Sequence, residues 1–437
     1  MPPVIRGRAR RRSSGRSAST RMALPALEAP ERDRLTALPD DLLHRILGFV
    51  GPRLAVGQCS LLSRRWRHLW ASMPSVTLDE SVSREFGNLL FLLREDAKLH
   101  TFCLRSSDDE ENDDENNFVY QRRWLRHVMS RGVRVLMITL HSSSYRGLSG
   151  WELPDCVFNC ATVETIDLSV TSPWELVISP KSVCLPRLKK LRLDYVNLSD
   201  SSVVEKLNSG CPALEHLDLA RCGLAQSRIS SDTLKILSIT ACAYEEIHIF
   251  APNVVSLRLN VAGRVKLDSM PSLMSAWVNI SGDGENHLAS DEHDFLNALC
   301  NAQHLELLRF DLLLQDMMEN PATEGPTFGE LNSLYLGEWL ITDFYQPFAY
   351  FLNRAPNLVS LTLDQWKVCE ENNGKVPRLL STRKEHNYKL NLAPALSTGL
   401  EKLRFRISKG GDAGEFSKMR RLLKEKTKPE ETEVIWF

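Results

Sequence analysis

The chain has 437 residues, 43% apolar and 25% charged, with a formal net charge of −1. That composition is ordinary for a globular protein, and the length exceeds one core, so it calls for several domains or a one-dimensional repeat array. Balanced charge gives no bulk attraction to nucleic acid or to a membrane surface, and the longest apolar run, Leu89 to Leu93, falls far short of the roughly 20 residues of a spanning helix.

Residues 1–30 hold seven arginines and no acid before Glu28. Low hydrophobicity with high charge prevents a packed core, so this segment is expected to be a disordered basic tail. A nuclear-import signal centred on Arg10-Arg11-Arg12, an organellar transit peptide and a solvated tail without an address all fit that composition. The expected localisation is therefore the nucleus, the cytoplasm or both.

A first module is expected over 31–79. Pro39 suits a first helical turn, Asp40 and Asp41 favour the positive end of a helix dipole, and Gly51-Pro52 stops the helix. Leu42, Leu43, Ile46, Leu47 and Val50 repeat at helical spacing between them. A second helix is expected to align Cys59, Leu62, Trp66, Leu69 and Trp70 in an apolar stripe, ending at Met73-Pro74. Two short helices so rich in Leu, Ile and Trp leave apolar area uncovered, which marks a protein interface.

Leu38-Pro39-Asp40-Asp41-Leu42-Leu43 with Ile46-Leu47, followed by Leu62-Ser63-Arg64-Arg65-Trp66-Arg67-His68-Leu69-Trp70, resembles the F-box. The second segment is especially similar to that of plant F-box proteins with leucine-rich repeats. The resemblance implies a three-helix module docked on a Skp-type adaptor, which bridges to cullin and RING subunits of a ubiquitin ligase. By position, Leu38, Pro39, Leu42, Ile46 and Leu47 would face the adaptor. Ser63, Trp66 and Trp70 would finish the contact and close the module's core. The middle, Gly51 to Gln58, departs from the family, with Gly57 where good helix formers and an acidic residue are usual.

An array is expected over 80–410. A spacing of three apolar residues, L-x-x-L-x-L, recurs twelve times from Leu99/Phe102/Leu104 to Leu400/Leu403/Phe405, and the steps from Leu188 to Leu273 are 26, 20, 20 and 19 residues. That range is the one of leucine-rich repeats. In x-L-x-L-x the two leucines leave a strand on one side and their neighbours on the other. No unit buries its leucines alone, so stacked units form a parallel sheet over a continuous core. The fold class is α/β: an N-terminal three-helix module, then a leucine-rich-repeat solenoid with a curved parallel sheet and with helices and loops on the convex side. Val203, Val204 and Leu207 after Ser199-Asp200 predict a capped convex helix ended by Gly210. Phe295, Leu296 and Leu299 predict another.

Three stretches interrupt the pattern. The acidic run 107–117 is expected to be a surface loop, and 370–391 a polar insertion. Over 411–437 a basic helix carrying Phe416, Met419, Leu422 and Leu423 precedes a last strand that starts at Glu433.

No nucleophile elbow, phosphate loop, dinucleotide fingerprint or zincin motif occurs, and the ten cysteines lack zinc-ligand spacing. No catalytic residue, metal or cofactor is expected. What remains is recognition of an unknown target by residues flanking the strand leucines: Arg192, Asp194, Tyr195, Asp218, Arg221, Arg258, Asn260, Trp277, Arg309 and Tyr335. Together these readings imply the substrate-recognition subunit of a Skp–cullin–F-box ubiquitin ligase, without nucleic-acid or membrane partners. The alternative is a leucine-rich scaffold with no role in ubiquitin transfer.

Overall fold

The computed structural model describes residues 35, 37–79, 82–94, 98–108, 114–142, 151, 153–171, 176–198, 200–280, 292–310, 325–338, 340–341, 345–364, 367–368, 400–407, 421, 429 and 431–436. The expected basic tail 1–30, the insertion 370–391 and the residues named for a basic terminal helix lie outside them.

The chain opens on helices α1 (Asp40–Val50), α2 (Pro52–Gly57) and α3 (Trp66–Leu69), with short 3-10 turns at Cys59–Leu61 and Trp70–Ser72. Gly51 joins α1 to α2 at φ 82°, and its N–H closes on Leu47 O at 3.2 Å, a left-handed turn that favours glycine. Gly57 is tolerated as the last residue of α2. The expected second helix is broken. A 3-10 turn at Cys59–Leu61 and a separate helix from Trp66 take its place, and Leu62 is turned out to solvent while Trp66 and Leu69 are buried.

Among the described residues, fourteen strands then pair in parallel in chain order, from Ser75–Leu78 to Glu431–Trp436. The first lies inside the stretch expected to belong to the helical module: Val76 and Leu78 pair with Phe102 and Leu104. The parity of each strand follows from its leucines. Strand His216–Ala220 buries Leu217 and Leu219 and leaves His216, Asp218 and Ala220 half-exposed. Because register is unslipped from strand to strand, the residue between the two core positions falls in one row. That row runs Asp167, Arg192, Asp218, Ser238, Arg258, Trp277, Glu306, Tyr335, Thr362, Arg404, Glu433. A one-residue slip anywhere would put core leucines into water, so burial fixes the row.

The convex side is mixed. Helices α4 (Arg84–Leu93), α5 (Asp114–Ser130), α6 (Asp155–Phe158), α7 (Ser201–Gly210), α8 (Glu292–Leu299) and α9 (Tyr345–Arg354) alternate with short parallel strands such as Ser227–Ser230, Glu246–Phe250 and Arg264–Leu267. Those strands occupy the coils of 19 and 20 residues, too short to return through a helix, and Ile229, Ile247, Ile249 and Val265 close the core in its place. Helix α7 has the predicted cap, Asp200 accepting from Ser202 N at 2.9 Å. Its last residue, Gly210, runs so close to Val183 that a Cβ there would lie 2.3 Å from a carbonyl oxygen. The acidic run is not one loop. Ser107 and Asp108 end a strand paired with His141 and Ser142, and Asp114–Asn117 open α5. Residues 109–113 lie outside the described set.

Candidate functional site: docking and recognition surfaces

The helical module has a core of six buried residues: Leu43, Leu47, Ala55, Trp66, Leu69 and Met73. On α1 the inward line is Leu43 and Leu47, one turn apart, with Ile46 packed beside them. The Trp66 N–H approaches Ser63 Oγ at 3.4 Å, and Arg65 Nε reaches Asp40 Oδ1 at 3.0 Å, tying the start of α3 to the start of α1. Leu47, expected to face an adaptor, is 0% exposed. It is a core residue, because five residues from Leu42 is about 140° around a helix.

The outward face carries what the core cannot cover. Leu42 is 45% exposed, Phe49 83%, Leu61 80% and Leu62 63%, with Leu35 and Leu54 also open. Pro39 is exposed, whereas Leu38, Ile46, Ser63 and Trp70 are half-buried and Trp66 is buried. The sequence reading missed Phe49, Leu54 and Leu61. The signal for Phe49 was present: seven residues after Leu42, it lies two turns along the same line of α1.

The module is joined firmly to the array. Trp70 packs against both hydrophobic cores, and Val56 of α2 reaches into the larger one. Arg94, just past α4, is buried and donates from Nη2 to Met73 O at 2.5 Å. Burial, with Arg131 nearby, pulls its guanidinium down to about 10. Its side chain lines a cleft with Gly48, Gly51, Val56, Trp70 and Leu90.

The second surface is the open face of the sheet. Arg192, Asp218, Arg258, Trp277 and Tyr335 stand in the shared row described above. Arg258 stacks on Trp277 at 4.8 Å from guanidinium carbon to ring centroid, an attraction of about 0.5–1 kcal/mol when exposed. Asn260 and Asn279 pair in the next row, each with a buried side-chain oxygen that has no hydrogen-bond partner. Asp194 does not belong to the surface. It is 2% exposed, and Arg221 holds it by Nε–Oδ1 at 2.9 Å and by a second bond to Oδ2. A carboxylate this deep needs such a fork to offset its desolvation. Tyr335 is held likewise: its hydroxyl donates to buried Asp364, which Arg406 meets at 3.0 Å. Burial, then the bond to that carboxylate, push the Tyr335 phenol well above the ordinary tyrosine range. Burial raises the Asp167 carboxyl, against the opposing pull of Arg192.

Tyr195, Arg221 and Arg309 sit at the rim rather than on the face. Each takes positive φ just after its strand, as Ala241 and Glu338 do. Left-handed backbone costs a non-glycine residue about 1–2 kcal/mol. In return the N–H groups of Tyr195, Arg221, Arg309 and Glu338 each reach a carbonyl of the following coil, at 2.8–3.0 Å. The thiols of Cys222 and Cys242 lie inside the same turns and donate to Leu193 O and Leu219 O at 3.4 Å. They close coil-to-coil hydrogen bonds and line no surface.

Comparison with known proteins agrees with this division. The F-box domain model matches residues 35–77, and the model described as "FBD-associated F-box protein At5g56370, LRR repeats" matches 121–274. The chain is 28% identical over 310 residues to the F-box/LRR-repeat protein At4g14103 of Arabidopsis thaliana, covering 63% of this chain and 78% of that one. It is 28% identical over 351 residues to the F-box/FBD/LRR-repeat protein At4g26340 of the same plant, covering 76% and 77%. With the MEIOTIC F-BOX protein MOF of Oryza sativa subsp. japonica it shares 29% over 397 residues, 80% of this chain and 75% of the other.

Proposed function

The chain belongs to the plant F-box proteins with leucine-rich repeats, a family of substrate adaptors, and on that footing we propose that it is the recognition subunit of a Skp–cullin–F-box ubiquitin ligase. The observation that carries the reading is the uncovered apolar face of the F-box. A 43-residue module with a six-residue core leaves Leu42, Phe49, Leu54, Leu61 and Leu62 in water, and exposed apolar side chains in this number are what a partner covers. An F-box implies a Skp-type adaptor as that partner. Cullin and RING subunits follow through the adaptor.

The target docks on the sheet face, with Trp277, Arg258, Tyr335 and Arg192 as the anchors, since aromatic and arginine side chains dominate interface energies. The chain itself supplies no chemical step. It holds a target lysine near a charged ubiquitin-conjugating enzyme and thereby raises effective concentration. It acts in the nucleus, the cytoplasm or both. Co-expression of the full chain with a Skp-type adaptor tests this. The expected result is a stable complex with the wild type and none with Leu42→Glu/Leu62→Glu. A wild-type chain that never co-purifies with the adaptor would leave the scaffold reading in its place.

A further inference from the structure

The row of residues between the core positions of the sheet carries charge of both signs, and part of it is neutralised within the protein. Arg192 lies 3.7 Å from Asp218, with Asp167 in its field, and Arg404 pairs with Glu433 at 2.9 Å. The middle of the row differs. Arg258, Trp277 and Glu306 follow one another on three adjacent strands. Both charged residues are exposed, and among the described residues neither enters an ion pair. The Arg258 guanidinium is laid over the Trp277 ring instead, which fixes its direction while leaving its N–H donors unspent on any carboxylate. A nucleic acid or an anionic lipid surface would meet Asp218 and Glu306 with like charge. The row therefore fits a partner that itself carries both signs.

We propose that this triplet reads a short peptide segment of the target with one acidic and one basic side chain and an apolar residue between them: the carboxylate on Arg258, the apolar side chain on Trp277 and the cation on Glu306; the inference rests on the target-binding role given to the sheet face above. Spacing sets the length of the motif. Strands about 4.8 Å apart put Arg258 and Glu306 about 10 Å from each other, which an extended peptide spans in about three residues. The main chain of such a segment has partners as well. Asn260 and Asn279 follow Arg258 and Trp277 by two positions on the same side of the sheet, and their side-chain oxygens lack hydrogen-bond partners, which backbone N–H groups supply. Charges arranged in this way select a partner by repelling the wrong sign.

The test selects peptides from a random displayed library on the full chain, then on Arg258→Glu and on Glu306→Arg. These side chains face solvent, so thermal midpoints should match wild type; where one falls, Arg258→Gln or Glu306→Gln takes its place in the affinity comparison. Wild type should enrich acid and base about three residues apart with an apolar residue between them. Arg258→Glu should bind those peptides about tenfold or more weaker and enrich two basic residues in their place, whereas Glu306→Arg should enrich two acidic ones. Peptides that bind wild type and both reversals equally would overturn the proposal, and so would a wild type that enriches none. Co-purification with the adaptor is scored separately. A chain that binds the adaptor but selects no peptide loses this inference alone, and one that selects the motif without binding the adaptor loses the ubiquitin-ligase reading and keeps the motif.

Discussion

Leu47→Ala separates a contact residue from a core residue. Leu47 is fully buried among Leu43, Ala55, Trp66, Leu69 and Met73, and truncating a buried leucine costs about 2–5 kcal/mol, more where neighbours cannot collapse. With so few core residues the loss falls on the module alone. At about 3 kcal/mol, the folded-to-open ratio of the F-box drops by roughly 150-fold, while the array, with its own continuous core, keeps its cooperativity. Hydrogen exchange resolves this: amides of α1 and α2 should exchange faster in Leu47→Ala and those of strand His216–Ala220 should not. Adaptor affinity falls in parallel. Leu42→Glu gives the opposite pattern, with exchange unchanged and binding lost. If Leu47→Ala weakened adaptor binding while α1 and α2 kept wild-type protection, Leu47 would touch the partner directly and the core assignment would be wrong.

Four further outcomes are expected. Gly263→Ala places a Cβ 2.2 Å from Tyr244 O and 2.8 Å from Glu245 O; because both obstacles are backbone, the unfolding free energy measured by denaturant titration should fall by about 1–3 kcal/mol, and a neutral result would mean the turn relaxes freely. Arg221→Ala strips buried Asp194 of its fork and should cost about 1–3 kcal/mol, whereas Arg221→Lys should recover only part of it; full recovery by lysine would remove the bidentate argument. Asp167 has a carboxyl raised mainly by burial, so the folded state holds its proton more tightly than the unfolded one. Stability from that group is complete below the unfolded value, about 3.9, and is lost as pH rises through the higher folded value. Asp167→Asn should therefore be the more stable protein at pH 7, with the gain vanishing in acid; a gain that persists at pH 3 would contradict this. Finally, an alkylating reagent at pH 8 should label exposed Cys184 long before Cys211, which is buried and pushed up to about 12; equal rates by mass spectrometry would argue against the packing of α7 over the sheet.

The array was legible because its signal is parity. In Leu217-Asp-Leu219 the two leucines share one face only on a strand, with Leu214 entering the core from the segment before it, and register follows from that parity. What escaped was decided by geometry that parity does not carry. Ile247 and Ile249 look alike whether a convex coil is helix or strand, and the 20-residue coil length, not the residues, selects strand. Asp194 follows the second core leucine of its strand, the slot that Ala220 fills in the next coil, and nothing local shows that it is drawn beneath Arg221, 27 residues further along the chain. In the F-box, Leu42 and Leu47 share helical spacing with their neighbours, but about 140° separates them around α1, so one faces solvent and the other the core. The broken helix around Leu62 had no comparable signal, since Leu62-Ser63-Arg64-Arg65 has ordinary helix propensity and gives way to tertiary packing of Trp66.

Unslipped pairing over fourteen strands also makes the sheet a ruler. Neighbouring strands are about 4.8 Å apart, so each coil is one graduation, counted from the strand Ser75–Leu78 that abuts the F-box. Arg192 stands four graduations out, Trp277 eight and Tyr335 ten, or about 19, 38 and 48 Å along the arc. Since Trp70 and Arg94 lock the origin of that scale, a target's distance from the adaptor is set by which coil it grips. Removing or adding one whole coil between the F-box and Trp277 would shift the target by a fixed increment without altering a single contact to it.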